Sequence, residues 1–155
     1  MEMSIAANVA AAKLQAFGSW WMSTRKQWST AERFRQSLRI VSADVKQPVQ
    51  GLSGGNQQKV VLAKWLLLDP EVLIVDEPTR GIDIGAKADV HHLLYQHSRK
   101  GSCVIVISSE LPEILDVSDR IYVMREGQIT GELGRLEATE EKVMRFASLA
   151  PQEIP

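Results

Sequence analysis

The chain has a single cysteine, Cys103, so no internal disulfide can form. Cys103 sits in an apolar run, where it reads as a small buried hydrophobe, and a lone thiol fits a reducing compartment. There is no basic excess. Lys and Arg number 18 against 19 Asp and Glu, a formal charge of -1, which argues against nucleic acid as the main partner. No apolar run approaches the roughly 20 residues of a membrane span. The N-terminus is Ala-rich, but Glu2, Asn8 and Lys13 spoil a signal-peptide reading, and a cytoplasmic chain is expected. No glycine is followed by lysine, so the phosphate-gripping loop Gly-x-x-x-x-Gly-Lys-Ser/Thr is absent from these 155 residues.

What is present suffices for one domain with a core. The region before Gly51 reads as helical. Ser4 to Ala16 lacks Pro and Gly. Ser29-Thr30-Ala31-Glu32 fits a capping box, with Ser29 capping a helix and Glu32 reaching back. Ala31, Phe34, Leu38 and Val41 follow at helical spacing. Asp44 to Gly51, with Pro48, reads as a linker or loop. A helix is predicted from Asn56 to Leu68, stopped by Asp69-Pro70. Val72 to Val75 and Cys103 to Ile107 are short apolar runs, the pattern of strands buried on both faces. Between them Gly85 to Arg99 is an amphipathic helix with Ala86, Val90, Leu93, Leu94 and His97 on one side. Ser109 is expected to cap a short helix with Pro112 in its first turn. Ile121 to Met124 and Gln128 to Leu133 read as a hairpin turning at Glu126-Gly127. Thr139 opens a last helix to about Leu149. Strands alternating with helices predict an α/β fold with a mainly parallel sheet.

Two segments carry chemistry. Leu52-Ser53-Gly54-Gly55-Asn56-Gln57-Gln58-Lys59 places two glycines at a helix start. Their backbone N–H groups can approach an anion closely, Ser53 adds a hydroxyl donor, and the helix points its positive end at the same spot. Taken alone, Ser-Gly-Gly is more often an ordinary loop; the flanking residues favour the phosphate reading. The second segment is Val72-Leu73-Ile74-Val75-Asp76-Glu77-Pro78. An apolar strand ending in adjacent carboxylates suits a site where Asp76 holds magnesium and Glu77 polarises a water that attacks a terminal phosphate. A solvated strand end is the plain alternative. His91, His92 and His97 share one helix without metal-ligand spacing, so a solvated or half-packed face is the better reading.

Leu-Ser-Gly-Gly-Asn-Gln-Gln-Lys followed by Asp-Glu-Pro-Thr-Arg-Gly-Ile-Asp-Ile-Gly-Ala-Lys resembles the ATP-binding subunits of ABC transporters. More narrowly, it is similar to the second nucleotide-binding half of bacterial monosaccharide importers of the ribose, galactose, xylose and autoinducer type. The resemblance runs from about Met3 to Phe146. It implies ATP and Mg2+ as cofactors, and a partial P-loop-type ATPase fold. Residues 1–51 would form a helical subdomain, 52–135 the second half of the ATPase core, and 136–155 a C-terminal helix and tail. Ser53, Gly54, Gly55, Asn56 and Gln57 would be the signature motif and Asp76 the Walker B aspartate holding magnesium. Glu77 would be the catalytic glutamate, and Gly81-Ile82-Asp83 the D-loop that touches the partner half. Ser109 falls where most members place a switch histidine. Ser108-Ser109-Glu110-Leu111-Pro112-Glu113 matches the second half of the sugar importers.

In this family two halves sandwich two ATPs, each between one half's P-loop and the other half's signature. The expected partners are therefore a second nucleotide-binding domain carrying a P-loop, membrane permease subunits and, indirectly, a periplasmic sugar-binding protein. The expected location is the inner face of the plasma membrane. The missing Gly-Lys implies a domain that begins after its Q-loop and acts only with a P-loop-bearing partner. The alternatives are a non-enzymatic remnant of a split or truncated gene, or a regulatory or DNA-associated ATPase of the same type. Trp20, Trp21 and Trp28 would form either core packing or an aromatic patch facing the permease.

Overall fold

The computed structural model describes residues 3–13 and 23–148. It contains two compact units, Met1–Ile105 and Val106–Pro155, and the boundary falls inside one strand.

In the first unit, α1 (Ile5–Ala11) starts where Ser4 Oγ accepts from the Ala7 amide at 3.2 Å. The segment before the signature is tied down rather than loose. Asp44 Oδ1 accepts from the Lys46 and Gln47 amides at 2.7 and 3.1 Å. The Ile5 and Ala6 amides in turn donate to the carbonyls of Gln47 and Val45. This Asx turn therefore delivers Val45 and Val49 into the core.

The helix α2 spans Thr24–Ser37 and is capped by Ser23, whose side chain accepts from the Lys26 amide at 3.4 Å. This corrects the capping-box expectation. Ser29 lies inside α2, where its hydroxyl donates back to the Lys26 carbonyl. Glu32 binds Arg35 and Gln36. The helix also ends before Val41, which is 77% exposed, while Ala31 and Leu38 are buried as their spacing predicts. A 3₁₀ turn, Val49–Gly51, leads into α3 (Gly54–Leu66). The apolar faces of α1, α2 and α3 meet over Ile5, Val9, Ala31, Val60 and Ala63, and Leu93 joins them. At the end of α3, Asp69 takes a left-handed φ of 50° just before Pro70.

After α3, β1 (Val72–Asp76), α4 (Ile84–Ser98) and β2 (Cys103–Ile107) form a strand–helix–strand unit, and the two strands pair. Burial on β1 alternates: Leu73 and Val75 are buried, whereas Val72 and Ile74 are 55% and 62% exposed. The expectation of strands buried on both faces is thus corrected. Among the described residues, no element covers the second face. Cys103 is likewise exposed, not buried. Helix α4 matches its predicted apolar side, with Val90, Leu93, Leu94 and His97 buried. His97 Nε2 lies 3.2 Å from the Pro70 carbonyl, so this histidine is a packed side chain that fastens the turn before β1.

In the second unit, α5 (Leu111–Val117) is followed by the antiparallel hairpin β3 (Arg120–Arg125) and β4 (Gln128–Gly134), then α6 (Glu140–Ser148). Glu126 and Gly127 both have positive φ, 49° and 79°, the turn that matches strand twist in a two-residue hairpin. The register slips between Val123 and Met124. Thr139 Oγ1 accepts from the Lys142 amide and caps α6 as expected. Phe146 then packs over Gly131, where an added Cβ would land on the ring. Ser109 does not cap α5. Glu110 occupies the cap position, its side chain makes no capping bond to the helix, and the Glu110 amide donates to Ser108 Oγ at 3.1 Å.

Candidate functional site

The segment 52–59 sits at the start of α3, and its geometry follows from close packing. Ser53 is the N-cap residue in extended conformation. Gly55 lies against the start of α4: a Cβ there would stand 2.8 Å from the Ala86 Cβ. That approach brings the α3 N-terminus beside Asp83, which caps α4 by accepting from the Ala86 amide at 2.9 Å. A groove of about 300 Å3 results, lined by Ser53, Gly55, Asn56, Asp83, Arg39 and Lys59 among others. Of the residues singled out in the sequence, Ser53, Gly55, Asn56 and Asp83 are therefore brought together. Gly54 opens the same helix, and Gln57 turns back to donate to the Leu52 carbonyl at 2.9 Å.

Two residues of this groove were not singled out by the sequence, Arg39 and Asp89. Asp89 Oδ2 accepts from Lys59 Nζ at 2.6 Å, with the lysine side chain 6% exposed. Arg39, at a left-handed φ of 50°, reaches the other oxygen of Asp89 at 3.9 Å. A lysine buried on an apolar helix face must have an acid nearby. Lys59 was thus the available signal, but nothing local names Asp89 as its partner.

Asp76 ends β1 and is exposed; Glu77 follows, half-buried, at φ 46°. A non-glycine residue in the left-handed region is strained and persists only where its surroundings hold it. Pro78 and Thr79 behind it are both buried. The Arg80 amide closes the turn onto the Glu77 carbonyl at 3.3 Å. The described residues hold no cluster of three or more His, Cys, Asp or Glu suited to a metal. Magnesium, however, commonly binds through one or two carboxylates plus phosphates and water, and exposed Asp76 suits that mode. Ser109 lies in the second unit, exposed, between β2 and α5. Its neighbour Ser108 donates to the buried Glu113 carboxylate at 2.5 Å. Trp20 and Trp21 lie outside the described residues. Trp28 is 39% exposed, with Lys46 Nζ over its ring at 4.3 Å.

The architecture is that of an ATP-binding cassette. An ATP-binding cassette of an ABC transporter superposes with a TM-score of 0.76 at 24% identity, over 94% of this chain and 62% of that chain. The family model for ABC transporters matches residues 2–80, half of the chain, and the chain belongs to that family. Among curated relatives, the L-arabinose transport ATP-binding protein AraG of Geobacillus stearothermophilus is 57% identical over 116 residues, 75% of this chain and 23% of that protein. The ribose import ATP-binding protein RbsA 2 of Rhizobium meliloti is 48% identical over 149 residues, 96% of this chain and 29% of that protein. The chain thus spans between a fifth and a third of the length of these relatives.

Proposed function

We propose that this chain supplies the signature face and the hydrolytic carboxylates of an ATPase that drives monosaccharide import. The observation that carries this reading is the groove in which Ser53, Gly55 and Asn56 meet Asp83. It gathers a helix N-terminus, a hydroxyl and a helix-capping aspartate on one surface, a suitable face for a terminal phosphate held by another body. The sugar-transport relatives support the import role. In this reading the P-loop that grips the nucleotide facing Ser53 belongs to a second nucleotide-binding domain. Permease subunits at the inner face of the plasma membrane, fed by a periplasmic sugar-binding protein, complete the assembly.

Ser53 and the amides of Gly54 and Gly55 face the γ-phosphate of the partner's nucleotide. Asp83 lies at the junction between the halves. Asp76 would hold Mg2+, which neutralises charge on the phosphate oxygens when bound. Glu77 orients and polarises the attacking water. Ser109 stands where an imidazole would contact the γ-phosphate. Its short, uncharged side chain cannot supply the charged contact that an imidazole would.

Calorimetry and steady-state ATPase assays test this reading. The isolated chain is expected to show no measurable affinity for ATP with magnesium. In the assembled transporter, Ser53→Ala is expected to lower ATPase turnover by roughly a hundredfold to a thousandfold, the loss typical of one donor at a charge-developing site. Tight magnesium-dependent ATP binding by the isolated chain, or wild-type turnover in Ser53→Ala, would overturn it.

A further inference from the structure

The Ser53 hydroxyl has a defined polarity, and Asn56 sets it. Asn56 Oδ1 lies 2.8 Å from the Val41 amide nitrogen. A backbone N–H can only donate, so this contact decides which end of the Asn56 amide is oxygen. The other end, Nδ2, lies 2.8 Å from Ser53 Oγ. An amide NH2 also only donates, so the Ser53 oxygen must accept there. The usual alternative, in which an N-cap serine accepts from its own helix, does not occur: Ser53 makes no side-chain cap bond. The serine proton therefore points away from Asn56. Ser53 is exposed and lines the groove with Gly55 and Asp83.

We infer that Asn56 is a positioning residue that turns the Ser53 O–H outward as a donor, so that the groove favours an acceptor-only ligand oxygen such as that of a phosphate. Asn56 takes its own orientation from Val41, in the loop that follows α2. The donor is thereby referenced to the backbone of the α1–α2–α3 core, not to the first turn of α3 alone. The inference rests on the signature reading above.

Aspartate has the shape of asparagine and still accepts from Val41, but it has no proton for Ser53. In Asn56→Asp the serine would donate to the carboxylate and turn inward. In Asn56→Ala both bonds vanish and the hydroxyl rotates freely. Positioning thus predicts an order that packing does not. For ATPase turnover of the assembled transporter, Asn56→Asp is expected to lose about tenfold or more and Asn56→Ala only about two- to threefold. For unfolding midpoints in denaturant the order reverses, because an acid in the first helical turn complements the dipole and alanine loses both bonds. The added charge is controlled by a double-mutant cycle. In a Ser53→Ala background, Asn56→Asp is expected to cost no more than about another twofold, since it has no hydroxyl left to misdirect.

Asn56→Ala losing more turnover than Asn56→Asp would overturn the inference, as would fully multiplicative effects in the cycle, which would mean charge repulsion alone. Both outcomes presuppose that Ser53→Ala itself lowers turnover. If it does not, the signature reading fails first, and the two failures are told apart.

Discussion

In the first turn of α3 two adjacent glycines have different reasons for being glycine. A Cβ on Gly55 would meet the Ala86 Cβ at 2.8 Å, whereas one on Gly54 would meet nothing closer than the Gly81 carbonyl oxygen at 3.8 Å. Gly55→Ala is therefore expected to push α3 off α4 and cost about 1–3 kcal/mol by urea unfolding, as overpacking typically does. Gly54→Ala should stay well below that, and Gly55→Ala combined with Ala86→Gly should recover most of the loss. Glu77 presents the opposite case, a side chain where the backbone favours glycine. Its φ of 46° carries strain that glycine would relieve and alanine would not. Glu77→Gly is expected to be more stable than Glu77→Ala by about 1–2 kcal/mol in chemical denaturation, with both inactive in the assembled ATPase. Equal stabilities would mean that the turn holds no strain.

Within α2, the most defined electrostatic feature joins Glu32, Arg35 and Gln36 on one half-buried face. Arg35 Nη2 lies 2.7 Å from Glu32 Oε1. The hydrogen bonds from Arg35, then Gln36, hold the Glu32 carboxyl below its ordinary value of 4.5. A lowered carboxylate pKa favours the folded state above the unfolded pKa, and that contribution is lost as pH falls through the folded value. Helix stability from this pair should therefore be level near neutrality and fade only below pH 4.5. NMR titration of Glu32 is expected to give a midpoint under 4.5, moving back toward it in Arg35→Ala. An unchanged midpoint in that variant would refute the assignment. The same helix shows where element-level reading slips. Both Ser23 and Ser29 are plausible caps by residue type. Ser23 is the cap because α2 continues through Ala31, which is buried against the core, and extends a full turn and more ahead of Ser29.

At the scale of the molecule, the β1–β2 pair leaves apolar side chains in solvent. Val72 and Ile74 on β1 and Ile105 on β2 are 55%, 62% and 44% exposed. Patches of this kind mark a surface that another body covers, or one that self-associates. The 155-residue chain by itself is expected to bind a hydrophobic dye in its native state and to sediment partly as oligomers. Ile74→Lys should reduce both without lowering the unfolding midpoint, because its side chain has little burial to lose. A monodisperse wild-type chain without dye binding would contradict this. No helix among the described residues is long and apolar enough to cross a membrane.

Several of these features were legible in the order of residues alone. The glycine-led start of α3, the Asp76-Glu77 strand end, the α4 face and the Glu126-Gly127 hairpin turn are local patterns. Helical and strand periods, turn chemistry and a glycine pair at a helix start are all properties of a few consecutive residues. The structure alone decided which strand faces are covered, that Lys59 is held by Asp89, and that Asn56 joins Val41 to Ser53. It also decided that Gly55 lies against Ala86, where a Cβ would not fit. Burial, ion pairing and close approach depend on segments far apart in the chain, and a residue's type and spacing do not say which distant segment will arrive beside it.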